Sequence, residues 1–250
     1  MTTASLSVSL ISRFGAAFFF TGKILRFIFF FIFLLLLTSQ TKIIAGYNLW
    51  QVAFFFLTFN LIDSLTQFFL REVYRFRLLV VSGNFDLVLV KPINPLFRVL
   101  AGGADILDLL SLPPLIIFLI YAAGKLGPLA LENIFLYLLL VFNAFLISIA
   151  FHTLVAAIGV LTTEVDNTIM LYRDLSNMGR LPIDIYREPI RGFLTFVVPI
   201  GVMVTFPAKA IMNLLSFNLV LVALVLGITF FGVSLWFWKF SLRHYSSASS

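Results

Sequence analysis

The sequence has no cysteine among its 250 residues, which excludes disulfide bonds, thiolate metal sites and thiol nucleophiles. Charge is also scarce, because only 11% of the residues are Asp, Glu, Lys or Arg. The hydrophobic share of 61% and the mean hydropathy of +1.09 lie far outside the range of soluble globular proteins. No polar block is long enough for a separate soluble domain. The composition therefore predicts an integral membrane protein with one domain over residues 1–250.

Catalytic and nucleotide-binding motifs are missing as well. The two histidines, His152 and His244, are accompanied by neither His-Glu-x-x-His nor Gly-x-Ser-x-Gly. The phosphate-loop pattern is absent, since its nearest approach, Gly22-Lys23-Ile24, lacks the hydroxyl residue. We therefore expect a chain that is not an enzyme and that binds no cofactor or metal of its own. Any ATP-driven work would take its energy from another chain.

Apolar runs of about twenty residues, the length that crosses a bilayer as a helix, recur along the sequence. The alternation that a membrane barrel needs is missing from runs such as residues 29–37. The pattern predicts an all-α membrane protein with six transmembrane helices, at residues 24–40, 49–70, 104–123, 134–161, 191–207 and 217–238. We expect the fifth helix to be broken by its prolines, Pro199 and Pro207, and the apolar segment 207–217 to re-enter the membrane edge.

The residues ahead of the first span allow two interpretations. Apolar residues recur at helical spacing beside serines between residues 6 and 18, which favours a helix lying in the membrane interface. A disordered start rich in Ser and Thr is the alternative. The first span itself is expected to stay in the protein, because residues 38–41 (Thr-Ser-Gln-Thr) do not form a small-x-small cleavage site.

Basic residues are distributed unevenly among the predicted loops. All but three of the 17 Lys and Arg lie in the N-terminal segment, the second loop, the fourth loop and the C-terminal tail. The positive-inside rule then predicts a multi-pass protein of the plasma (inner) membrane with both termini cytoplasmic. It also places the loops around Arg75 and Arg180 on the cytoplasmic side. Membrane lipid is an expected partner, and nucleic acid is not, because the net charge of +6 is explained by these loops.

Residues 71–95, between the second and third spans, form the segment called the elbow below. Val73, Phe76 and Val80 share one helical face over residues 71–82, which predicts an amphipathic helix at the membrane surface. A strand over residues 85–90 is the alternative for the second half, although a single strand there has no partner.

The helix-ending and helix-capping residues of the elbow predict a fixed turn between two short helices. Gly83 is expected to end the first helix, and Asn84 to cap the second. Asp86 would lie near the positive end of the second helix, which Lys91 and Pro92 would close.

Polar residues inside the predicted spans have two possible roles. Asn60, Asp63 and Gln67 form a stripe on the second span, and a carboxylate facing lipid would cost at least about 2.5 kcal/mol. The stripe is expected either to join helices or to line a translocation pathway. His152 and Ser148 belong to a stripe of small and polar residues on the fourth span, for which we expect close helix packing, with a proton relay or a metal site as the alternatives.

Several short motifs occur in the order found in one family: Ala45-Gly-Tyr-Asn, Ser82-Gly-Asn-Phe-Asp-Leu-Val-Leu-Val-Lys-Pro-Ile-Asn, Leu181-Pro-Ile-Asp-Ile-Tyr, Phe196-Val-Val-Pro-Ile and Phe206-Pro-Ala. The most specific of them is Gly-x-x-Asp-x-x-Leu-x-Lys-Pro, at residues 83–92. Over essentially its whole length the chain resembles an ABC type-2 exporter permease, of a branch long described only as a domain of unknown function.

The resemblance implies the membrane-spanning subunit of an ATP-driven exporter that moves its substrate by alternating access. The implied partners are a second copy or a homologue of the permease and an ATP-binding cassette ATPase subunit, which would hold the ATP and magnesium. The ATPase-coupling interface would be the elbow, through Arg75, Arg77, Gly83, Asn84, Asp86, Lys91 and Pro92. Asn84 departs from the family pattern, in which an acidic residue is usual. A non-transporting membrane scaffold, an intramembrane enzyme acting on lipid, and a channel are the other interpretations.

Overall fold

The computed structural model describes residues 45–103 and 106–246, together with the stretches 17–18, 21–22, 24–25, 28–33 and 35–36. These residues form helices and turns, with no β-strand among them, so the predicted all-α fold is confirmed for this part of the chain. Most of the predicted interfacial helix (all but residues 17–18) and part of the predicted first span (24–40) lie outside the described residues. The described stretches between 24 and 36 are helical.

Residues 45–103 and 106–124 form one long helix, four shorter ones and a 3₁₀ turn: α1 (Leu49–Leu70), the turn Arg71–Arg75, α2 (Phe76–Val81), α3 (Asn84–Leu89), α4 (Pro95–Ala101) and α5 (Ile106–Gly124). The second half of the chain contains α6 (Leu131–Thr162), α7 (Val165–Asn177), 3₁₀ turns at Met178–Arg180 and Ile183–Ile185, α8 (Ile190–Gly192), π-helical turns at Phe193–Val197 and Gly201–Thr205, α9 (Phe206–Ile211) and α10 (Phe217–Arg243).

Three helical stretches of the described chain are long and apolar enough to cross a membrane: Leu49–Val81, Leu131–Thr162 and Phe217–Arg243. A fourth candidate is a pair of helices, Ile190–Val197 and Gly201–Ile211, bent by 79°. α5 is apolar over the shorter stretch Asp108–Gly124. The structure therefore supports three crossings, or four if the bent pair is one span, and the total of six remains a prediction.

The break in the bent pair lies at Pro199 and not at Pro207. Val198 is extended, with φ −114° and ψ 89°, as expected for the residue before a proline. Pro207 lies in the first turn of α9, where its missing N–H removes no hydrogen bond of that helix. The expectation that Pro207 ends a helix is therefore wrong.

The three long helices run in the same direction, because contacts between them advance together along each pair. Phe69 of α1 meets Phe145 of α6, and Phe151 of α6 meets Phe230 of α10, each further along both helices than the contacts nearer their starts. Tyr137 of α6 lies beside Phe54 of α1, with ring centroids 5.5 Å apart. Asn143 of α6 donates a hydrogen bond to the Ala223 carbonyl oxygen of α10 at 2.9 Å. A Cβ at Gly227 would collide with the Asn143 carboxamide, so this glycine is what allows α6 and α10 to approach closely.

The chain after α6 returns along α1 to its N-terminal end. Three contacts mark this course: Arg77 with Asp166 at 3.3 Å, Arg180 over the Phe59 ring at 5.8 Å, and the Tyr47 hydroxyl with Asp184 at 2.8 Å. Residues 165–185 thus run the length of α1, and the prediction that Arg180 lies at the same end as Arg75 is wrong. This path along α1 could not be predicted from the sequence, because α7 is too polar to resemble a membrane span.

Candidate functional site

The elbow consists of the 3₁₀ turn Arg71–Arg75 and the two short helices α2 and α3, joined at a left-handed glycine. Gly83 has φ +71°, a conformation that residues with a side chain rarely adopt. Asp86 lies in the first turn of α3, and α3 ends at Leu89, before Pro92. The alternative of a strand over residues 85–90 is therefore wrong.

Two expectations for the elbow need correction. Residues 71–75 form a 3₁₀ turn and not the start of an α-helix. Asn84 does not cap α3: it is the first residue of that helix, and its Nδ2 donates to Ser82 Oγ at 2.8 Å. The cap position is occupied by Gly83, whose left-handed backbone closes the turn without a side-chain hydrogen bond.

The inner side of the elbow is an aromatic cluster. Phe76 of α2 and Phe85 of α3 are both fully buried, and their rings meet edge to face with centroids 5.1 Å apart. Each ring lies 6.4 Å from the Trp238 ring of α10, and Phe85 also contacts Tyr245 at 5.2 Å. Burial of a Phe side chain contributes about 1.5–3 kcal/mol, so this cluster holds the elbow to the C-terminal end of α10.

Ion pairs connect the elbow to the neighbouring helices. Glu72 is buried between Arg98 of α4 at 3.1 Å and Arg75 at 3.5 Å. Two further pairs reach α5 and α7: Arg71 with Asp108 at 3.1 Å and Arg77 with Asp166 at 3.3 Å. Leaving a buried carboxylate such as Glu72 without its partner costs about 3–5 kcal/mol. These pairs fix the elbow relative to α4 and α5.

The outer side of the elbow is an exposed apolar patch, which we call the elbow patch: Leu78, Val81, Leu87, Val90 and Ile93. Val90 is 80% exposed. The side chains of Arg75 and Arg77 and the residue Lys91 are exposed at the same end of the molecule. Exposed apolar side chains beside basic residues are typical of surfaces that contact another protein or the membrane interface.

The polar stripe of α1 lies inside the helix bundle. Asn60 is buried, and its Nδ2 donates to the Phe56 carbonyl oxygen at 2.7 Å on the same helix. Gln67 Nε2 donates to the Tyr74 hydroxyl at 3.0 Å. Asp63 lines a small cavity between α1 and α7.

His152 is fully buried on α6, where its Nδ1–H donates to the Ser148 carbonyl oxygen at 2.8 Å. The Tyr172 ring of α7 meets the imidazole edge to face at 4.9 Å. No group of three or more potential metal ligands occurs in the described residues. The structure thus places His152 in the packing between α6 and α7.

The family model described as an ABC-2 family transporter protein matches residues 24–249. The chain belongs to this family. The resemblance inferred from the motifs is confirmed, and the protein is a membrane-spanning ABC transporter permease. Permeases of this family generally work with an ATP-binding cassette ATPase on a separate chain. No curated protein and no solved structure matches the chain.

A polar site at the other end of the permease was not anticipated from its sequence. Asp184 accepts hydrogen bonds from the Tyr47 hydroxyl at 2.8 Å and from Lys209 Nζ at 2.9 Å. Burial, together with the Asp184 carboxylate, raises the pKa of Tyr47, so its hydroxyl stays protonated and remains a donor. The signal lay in the family motifs, since Asp184 falls within Leu181-Pro-Ile-Asp-Ile-Tyr and Lys209 directly follows Phe206-Pro-Ala. Neither motif reveals the pairing.

Proposed function

We propose that this permease is the membrane-spanning subunit of an ATP-driven exporter and that it moves its substrate by alternating access. A separate ATPase would bind ATP and magnesium, and a second permease, identical or homologous, would complete the pathway. The observation that carries the proposal is the two-sided construction of the elbow, with an aromatic cluster on its inner side and the elbow patch on its outer side.

The inner side of the elbow supports its role as the element that transmits force. Phe76 and Phe85 cannot leave Trp238 without exposing two buried rings to water, so the elbow and the end of α10 move together. A Cβ at Gly159 of α6 would lie 3.4 Å from the Phe76 ring, which shows how closely α6 packs there too. A displacement of the elbow by a few ångströms would therefore displace α6 and α10. Alternating access needs two arrangements of these helices that differ by only a few kcal/mol in free energy.

The outer side of the elbow supports its role as the docking site of the ATPase. Leu87 and Val90 offer apolar contact area, and Lys91 and Arg75 add positive charge at the rim. A surface of this kind fits an apolar groove with acidic residues around it. Membrane lipid is the competing partner for this surface, because anionic headgroups attract basic residues and the membrane interface takes up apolar side chains beside them. Loss of ATPase co-purification in a variant of the elbow patch is the result that separates the two partners.

We also propose a topology with both termini and the elbow on the cytoplasmic side, in which residues 165–185 make the fifth crossing. This segment starts beside Arg77 and ends beside Tyr47, the two ends of the long helical stretch of α1. The bent pair of helices over residues 190–211 would then be a re-entrant hairpin at the outer end, and not a crossing at 191–207. Arg173 and Asp174 are exposed on α7, and because lipid is a costly environment for both, they would face a water-filled pathway or the second permease.

Glutamate substitutions in the elbow patch test the coupling role. Leu87→Glu combined with Val90→Glu should abolish co-purification of the ATPase, because two carboxylates would enter an apolar contact with an acidic rim. Insertion into the membrane should be unchanged, since neither residue belongs to a span. The matched control is Leu131→Glu, which alters a residue that is 82% exposed at the opposite end of the bundle. Recovery of the ATPase with the double variant at the parental yield would refute the proposed role of the elbow patch.

A further inference from the structure

An apolar groove lies between α1, α5 and the helical stretch 28–33. Its volume is about 460 Å³, within the range of about 300–1,000 Å³ that is usual for small-molecule sites. Two small buried residues, Ala53 and Ala122, line the groove together with larger aromatic and aliphatic side chains. Phe30 and Phe56 stack in one wall with ring centroids 3.5 Å apart.

The mouth of the groove has the chemistry of a membrane interface. Trp50 is the second residue of α1, and Tyr121 lies in the last turn of α5. Their rings meet edge to face at 5.7 Å. Trp and Tyr prefer the level of the lipid headgroups, so this end of the groove lies where the bilayer meets water. Leu57, which also lines the groove, is about 10 Å further along α1 at 1.5 Å per residue.

Among the residues that the structure describes, Lys125 places a positive charge at this mouth. Lys125 directly follows α5, and its Nζ lies 5.3 Å from the centre of the Tyr121 ring. The residue is exposed, so its ammonium group can meet a ligand from solution or from the headgroup layer. The groove therefore combines a positive charge at the interface with an apolar channel that leads into the bilayer, which is the complement of an anionic amphiphile.

We propose that this groove binds one acyl chain of an anionic membrane phospholipid, with the phosphate of its headgroup beside Lys125. The aromatic walls would hold the chain against α1 and α5. The lysine would select anionic over zwitterionic headgroups, by about fivefold, the preference that one basic residue supplies near a charged bilayer. A lysine that merely extends toward water, as lysines at helix ends often do, would give no such selectivity.

Tryptophan fluorescence can report on the groove, because Trp50 lines it. The protein has three tryptophans, of which Trp236 is 65% exposed and Trp238 only 4%. The full-length chain carrying Trp236→Phe is reconstituted in vesicles that contain dibrominated phosphatidylglycerol or dibrominated phosphatidylcholine, whose bromines quench nearby tryptophans. Adding Trp50→Phe to this variant gives the background from Trp238.

The phosphatidylglycerol lipid should quench Trp50 at about one fifth of the mole fraction that phosphatidylcholine requires. Lys125→Gln should remove this preference, whereas the control Lys239→Gln, at an exposed lysine of α10, should keep it. Ala122→Leu should narrow the groove and reduce quenching by both lipids. Equal quenching of the parental protein by the two lipids would overturn the proposal, as would a preference that survives Lys125→Gln. In the parental protein, high salt should weaken the preference, and this result depends on no variant of the groove.

Discussion

Replacement of Phe85 by alanine tests whether the aromatic cluster holds the elbow in place. Phe85 is fully buried and contacts Phe76, Trp238 and Tyr245 at centroid distances of 5.1 to 6.4 Å. A buried Phe→Ala change costs about 3–5 kcal/mol, the sum of the lost transfer free energy and of the cavity left behind. The elbow lies at the end of the bundle, so we expect most of this cost to appear as local opening of the elbow and not as global unfolding.

Hydrogen–deuterium exchange measures that local opening. A loss of about 3–5 kcal/mol should accelerate exchange of the protected amides in residues 76–90 by about 10²-fold to about 5 × 10³-fold, because each factor of ten corresponds to about 1.4 kcal/mol. Peptides from the middle of α6 should exchange as in the parental protein. Phe142→Ala is the matched control, since Phe142 is exposed on α6 and its removal leaves no cavity. An acceleration below about tenfold in the elbow would refute the reasoning, because the cluster would then contribute less than about 1.4 kcal/mol.

Three further outcomes are expected. Gly83→Val should destabilise the left-handed turn at φ +71° by about 1–2 kcal/mol and reduce recovery of the ATPase. The control Gly232→Val, which has no atom near its Cβ position, should leave recovery unchanged. Equal recovery with both variants would contradict the fixed turn. Asp184→Asn should lower the midpoint of thermal unfolding by about 5 °C, because the ion pair with Lys209 is lost. The control Glu188→Gln, which removes an exposed ion pair, should lower it by much less. Similar midpoints for the two variants would exclude a structural role for Asp184. Arg187→Cys should react with an impermeant thiol reagent added outside, as Gly127→Cys should and Ser82→Cys should not; no reaction at residue 187 would reject the proposed fifth crossing.

The helical architecture could be predicted because hydrophobicity acts locally along the sequence. An apolar run must be about twenty residues long to cross a bilayer, and α1, α6 and α10 begin within three residues of the predicted starts. The left-handed turn at Gly83 follows from backbone sterics at one residue, so it too could be anticipated. These features depend on short windows of sequence.

The remaining features depend on contacts between distant parts of the chain. Tyr47 and Asp184 are 137 residues apart, and no local pattern shows that the two side chains meet. The course of residues 165–185 along α1 was missed because charged residues such as Arg173 lower the hydropathy of a segment whatever its surroundings. The counting of basic residues in loops then assigned Arg180 to the wrong end of α1. Asn84 was expected to cap α3 because residue type suggests a cap, but the backbone of Gly83 decides where α3 begins.

The central claim is that the elbow patch seats the ATPase, and a cross-link from one residue tests it most directly. The chain has no cysteine of its own, so Val90→Cys provides a unique attachment point for a short photoactivatable cross-linker on a residue that is 80% exposed. In the assembled complex, Val90→Cys should cross-link to the ATPase. Leu131→Cys, equally exposed at the opposite end of α6, should not. An intact complex in which position 90 gives no cross-link, or in which position 131 gives one instead, would contradict the account.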